Sequence, residues 1–101
     1  MVKQLPPVHP GEVLKEEFLK PMGISQYRLA KELHLSEYCI SKIIRGKASI
    51  TADTAVRLSV FFSTTPDLWV NLQKRYDIKV AEAEFYRQKI KIKPFEMAVQ
   101  F

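Results

Sequence analysis

Residues 25–47 read SQYRLAKELHLSEYCISKIIRGK. Ser25 is a good N-cap, because its hydroxyl can accept from the free amides of a first helical turn. Beyond it, Leu29, Ala30 and Leu33 fall on one stripe, with Gln26, Arg28, Lys31 and Glu32 mostly outside it. Ser36 can cap a second helix, in which Ile40, Ile43 and Ile44 face inward and Glu37, Tyr38, Ser41, Lys42 and Arg45 face outward. Gly46 stops that helix. The helices predicted over Gln26–Leu33 and Glu37–Arg45 are thus joined only by His34-Leu35-Ser36. A turn this short suits two helices that cross steeply, the helix-turn-helix arrangement. The crossing needs a small residue where the helices touch, an apolar plug after the turn and a buried apolar residue in the second helix. Ala30, Leu35 and Ile40 meet those three needs.

Outward from this pair the chain stays helical. Pro10 suits a first helical turn, and Val13, Leu14 and Phe18 follow at helical spacing, with Glu12, Glu16, Glu17 and Lys20 opposite. Pro21 and Gly23 end that helix. Thr51 starts a fourth, in which Ala52, Ala55, Val56, Leu58 and Phe62 are expected to be mostly buried. Thr65-Pro66-Asp67 starts a fifth: a cap, a proline at the first position and an acid at the positive helix end. Leu68, Trp69, Leu72 and Tyr76 continue its apolar face, and Asp77 to Gln88 can carry it on. In the last stretch, Ile90 and Ile92 alternate with lysines in a strand-like or extended pattern that Pro94 limits. The fold class is therefore all-α. It comprises a loose arm over 1–9, a compact five-helix domain over 10–76, and a helical extension with an extended tail over 77–101.

The chain has 101 residues, 47% of them hydrophobic, enough for one core. No apolar run is long enough to span a bilayer. The start lacks the apolar core and cleavage site of a signal peptide, and the single cysteine, Cys39, leaves no intrachain disulfide. A cytoplasmic protein with no membrane role is the expectation. The net charge is +5, which permits nucleic-acid binding, and its distribution says more. Between Tyr38 and Ala52 stand Lys42, Arg45 and Lys47 and no acid. Polar residues facing outward on a helix are usually only solvated. Here they sit on the second helix of a helix-turn-helix, the one that enters the DNA major groove, beside a local basic patch.

The residues Ser25-Gln26, Leu29-Ala30, Leu33, Leu35-Ser36, Ile40-Ser41 and Ile43 through Gly46 resemble the Xre/lambda-repressor-like helix-turn-helix family. A more specific resemblance, to HigA/VapI-type antitoxins, rests on three further stretches. They are His9-Pro10-Gly11-Glu12, Ile50 through Ala55, and Leu68 through Gln73 with Tyr76-Asp77. It covers roughly His9 to Glu84 and leaves out the end from Lys89 to Phe101. The resemblance implies a homodimeric antitoxin that represses its own operon at a palindromic double-stranded DNA operator. It also implies a cognate toxin, usually a RelE-like ribosome-dependent mRNA interferase. The family commonly has glycine where this chain has His34, a turn position that often requires positive φ.

Roles follow for particular residues. By resemblance, Gln26 contacts a phosphate or an adjacent base, and Arg28 joins it in the expected DNA-contacting set. Tyr38, Ser41 and Lys42 are expected in the groove, where Lys42 reaches guanine O6 or N7. Arg45 and Lys47 hold phosphates and set register. Glu37 either accepts from a cytosine amino group, caps its own helix or repels wrong sites. Trp69, Phe61, Phe62, Phe85 and Tyr86 read first as core, but the segment from Trp69 onward is apolar enough for a two-fold interface, so Trp69, Tyr76, Phe85, Ile90, Ile92 and Phe95 are the expected dimer or partner contacts. The tail residues among them are too apolar for a free end and would cover the chain's own core, complete a dimer or dock on a toxin. Val99 and Phe101 extend that apolar set.

Other functions find little in the sequence. His9, His34 and Cys39 lack zinc-ligand spacing, so no metal and no cofactor is expected. No paired nucleophile and base stands out, and three glycines, Gly11, Gly23 and Gly46, make no phosphate loop. The chain is expected not to be an enzyme. The alternative to an antitoxin is a stand-alone Xre-family repressor with no toxin partner, which the helix-turn-helix alone does not distinguish.

Overall fold

The computed structural model describes residues 7–96. Five helices pack around one core, and no strand occurs among the described residues. The first, α1, is continuous but not uniform. It is α-helical over Pro10–Val13, widens to a π-helix over Leu14–Leu19, and closes as α-helix over Lys20–Met22. The widened stretch ends next to Pro21, which lacks an N–H and whose ring crowds the preceding turn of a regular α-helix. Gly23 then takes a left-handed conformation, φ 65°, and closes the end.

The helices α2 (Gln26–Leu33) and α3 (Glu37–Ile44) start as their caps dictate. Ser25 Oγ accepts from the Arg28 amide at 3.1 Å, and Ser36 Oγ accepts from the Cys39 amide at 3.0 Å. Helix α4 covers Ala52–Phe62, and α5 covers Pro66–Arg87. Thr51 and Thr65 cap them in the same way. Residues 90–96 after α5 are neither helix nor strand.

Leu14, Leu29, Ile40, Ile43, Leu58 and Trp69 are the large, fully enclosed side chains of the core. Trp69 is 0% exposed, with Phe18 centred 4.9 Å and Phe62 6.2 Å from it. Its indole N–H donates to Thr64 Oγ1 at 2.9 Å, so the polar end of the ring is satisfied. This corrects the expectation that Trp69 is an interface contact, because no part of the ring is left for a partner.

Other expectations are also corrected. Ala52 and Val56 lie on the solvent side of α4, whose buried stripe is Thr54, Ala55, Leu58 and Ser59. The sequence ADTAVRLSVFF carries small or apolar residues all round, so its pattern alone does not pick the inner face. Leu68, at the start of α5, is only partly covered and stays 37% exposed. His9 is not part of a loose arm. It is half-buried and caps α1, its Nδ1 accepting from the Gly11 amide at 2.9 Å. The expected continuation of the last helix past Asp77 is present: α5 crosses the 76/77 boundary without a break. The remainder of the arm, residues 1–6, and the tail residues Val99 and Phe101 lie outside the described residues.

Candidate nucleic-acid interface

The turn between α2 and α3 sets the interface. His34 adopts φ 57°, ψ 42°, the left-handed conformation that glycine takes most cheaply. The Leu35 amide then donates to the Ala30 carbonyl at 2.9 Å and the His34 amide to Lys31 at 3.2 Å, which closes α2 tightly. Histidine does not reshape the turn; it bears the conformational cost. Arg57 of α4 supports the same corner. Its Nη1 donates to the Leu33 carbonyl at 2.7 Å and to that of His34 at 3.3 Å, while Nε pairs with Asp53 at 2.9 Å. Ala30 and Ile40 are buried where the helices meet, and Leu35 is half-buried against the same core.

With Ile40 and Ile43 turned inward, α3 offers its other side to solvent. Glu37, Tyr38 and Arg45 are exposed there, and Ser41 and Lys42 are half-buried. The Lys42 ammonium lies 5.3 Å from the centre of the Tyr38 ring, a cation–π contact that keeps both side chains on one patch. Arg45 ends the helix, its Nε 3.4 Å from the Ser41 carbonyl, and Lys47 is exposed just beyond. Glu37 does not cap α3, since Ser36 holds that position. Gln26 is half-buried at the start of α2. Arg28 is exposed and lies 3.7 Å from Glu32, a surface pair of little energetic weight that a phosphate can displace. The expected DNA-contacting residues therefore occupy the beginning of α2, the outer face of α3 and the loop after it.

The expected partner contacts separate into two groups. Tyr76 is half-buried, its ring edge-on to His9 at 4.9 Å, so it serves the domain interior. Phe85 lies 5.2 Å from the Tyr86 ring on the far half of α5. Ile90, Ile92 and Phe95 are exposed, Phe95 at 83%. No cluster of three or more metal-ligating side chains occurs among the described residues, and no helix there is long and apolar enough to cross a membrane.

The helix-turn-helix family model matches residues 15–69, from α1 to the start of α5. Virulence-associated protein I of Dichelobacter nodosus is 49% identical over 81 residues, covering 80% of this chain and 75% of that protein. Antitoxin HigA-1 of Vibrio cholerae is 32% identical over 94 residues, 93% of this chain and 89% of that protein. The chain belongs to the HigA-like branch of the Xre-type helix-turn-helix family. The solved structure of the Pseudomonas aeruginosa antitoxin HigA with the higBA promoter superposes with a TM-score of 0.84 at 38% identity, covering 89% of this chain and 99% of that one.

Within this HigA-like chain, sequence reasoning missed the residues that hold the interface from behind. Arg57 carries no sign in the sequence of its bond to a helix end 23 and 24 residues away. Gln73 and His9 lay inside stretches recognised as family-specific, but their roles appear only when distant segments meet. Burial pushes the His9 imidazole below its ordinary value, against smaller upward pulls from the Asp77 carboxylate and a backbone hydrogen bond at Ala48.

Proposed function

We propose that this chain is the antitoxin of a toxin–antitoxin pair, a dimeric repressor that binds its own palindromic operator in the cytoplasm. The carrying observation is the outer face of α3, where Tyr38, Ser41 and Lys42 stand free of the core and an acid-free loop with Arg45 and Lys47 follows. Such a face fits a major groove, with Lys42 directed to guanine and Arg45 and Lys47 to phosphates. In a two-fold dimer the α3 helices would enter half-sites about 34 Å apart, or a multiple of that. The HigA relative solved with its promoter supports this reading. The partner would be a RelE-like mRNA interferase toxin, held by binding and without catalysis by this chain. The exposed apolar residues on the far half of α5 and in 90–96 are available for it or for the second copy.

Titrations on operator and random duplexes at several salt concentrations test the DNA half. Lys42→Ala should cost about 1–3 kcal/mol on the operator and relax its sequence preference. Arg45→Ala should weaken all sequences alike and flatten the salt slope by about one. Equal losses on both duplexes for Lys42→Ala would remove its reading role. Purification from the native cell tests the other half. A near-stoichiometric small partner, toxic when expressed alone, would establish the antitoxin. A clean homodimer would leave a stand-alone repressor.

A further inference from the structure

Three stretches carried the specific family resemblance, yet none of them lies on the outer face of α3. They meet instead behind the loop 45–51, which joins α3 to α4 and bears Arg45 and Lys47. From α5, Gln73 Oε1 accepts from the Ile50 amide at 2.8 Å, and its Nε2 donates to Asp77 Oδ1 at 2.9 Å. Gln73 is only 6% exposed, so both ends of its amide are committed. Because a carboxylate accepts only, it claims the NH2 end and leaves the carbonyl end for Ile50. From the opposite side, the His9 ring lies beside Gly46 and against Tyr76.

The loop needs this support. Its Gly46 and Lys47 amides bond back to α3, at the Ile43 and Lys42 carbonyls, 3.0 and 2.8 Å away. Ile50 stands one residue before Thr51, so its amide lies outside the capping of α4. It is also buried, and Gln73 gives that N–H its acceptor. The loop is therefore tied to the recognition helix at one end and to α5 at the other.

The geometry points to Gln73, oriented by Asp77, as the positioning residue of the basic loop: it sets where Arg45 and Lys47 stand without touching DNA. This rests on the DNA-binding function proposed above.

Anisotropy titrations on two duplexes test it, one selected by the wild-type protein from a random pool and one scrambled. Gln73→Leu should lose about tenfold on both, because phosphate contacts carry no sequence. Exchange of the Ile50 amide should accelerate. Asp77→Ala, at an exposed position, should lose about threefold and melt with the wild type. Gln73→Glu alone should bind poorly, since it faces the Asp77 carboxylate. Combining it with Asp77→Asn keeps the Ile50 amide donating to residue 73 and re-forms the 73–77 bond in reverse, the new amide donating to the new carboxylate, and should return affinity to within about twofold of wild type. A role in packing alone would not produce that rescue. If Gln73→Leu does not fold, Asp77→Ala and the double variant decide. Wild-type affinity for Asp77→Ala, or a double variant that melts normally yet stays weak, would overturn the inference. A wild-type protein that selects no duplex would instead remove the DNA-binding reading, and this inference with it.

Discussion

At Gly11 the absence of a side chain decides whether α1 can reach α3. A Cβ there would overlap the Ile43 carbonyl oxygen, which is backbone and has nowhere to move. Gly11→Ala should therefore cost about 2 kcal/mol or more, read as a lowered urea midpoint at unchanged slope. Two residues earlier, His9 acts through its neutral form, since Nδ1 accepts from the Gly11 amide and burial disfavours the imidazolium. A depressed folded-state value means the unfolded chain binds the proton more readily. The contribution is thus complete above the ordinary imidazole value of about 6.5 and is lost as pH falls through the lower folded one. The Asp77 carboxylate of α5 pulls the value upward and so narrows the window, while Tyr76 of α5, Glu12 of α1 and Arg45 of the loop line the same pocket. The urea midpoint should fall between about pH 7 and pH 5, and His9→Asn should show a shallower fall over that window. Glu84, lowered mainly by its hydrogen bond with Arg87, loses its contribution only in the more acidic range below ordinary carboxylates.

At the scale of elements, the α2–α3 corner shows how a helix-turn-helix tolerates histidine at a left-handed turn position that glycine takes most cheaply. The left-handed φ at His34 costs about 1–2 kcal/mol. The bonds that it permits, from Leu35 to Ala30 and from Arg57 to the end of α2, hold it in place. His34→Gly should raise stability by about 1 kcal/mol in urea unfolding and leave DNA affinity unchanged, because the corner already has the glycine geometry. A loss of affinity on that substitution would mean that the imidazole itself takes part in binding.

Over the whole molecule, the far half of α5 runs beyond the core. The radius of gyration is 17.3 Å, against about 13 Å for a compact chain of this length, and the long axis is 54 Å. The far half of α5 and residues 90–96 account for the excess, and they expose Tyr86 at 72%, Ile92 at 73% and Phe95 at 83%. Apolar surface grouped in this way is expected at an interface. Sedimentation should find a dimer for the wild type. Ile92→Glu with Phe95→Glu should weaken it at least about tenfold if a second copy covers this surface. A dimer that survives with toxin capture lost would assign the surface to the toxin.

The local half of this structure was legible in the chain itself. Ser25, Ser36, Thr51 and Thr65 cap the helices that they announce, and the inward isoleucines of α3 follow a helical period. Those signals are local, because caps and periodicity act over a few residues. What turned on contacts between distant segments was not legible. The inner face of α4, the capture of Ile50 by Gln73 and the support of α2 by Arg57 all join residues far apart in sequence or depend on packing. Residue identity determined which helices form and which face of α3 is polar. Only the tertiary structure decided what holds that face in place, because burial and long-range hydrogen bonds exist only once the helices have met.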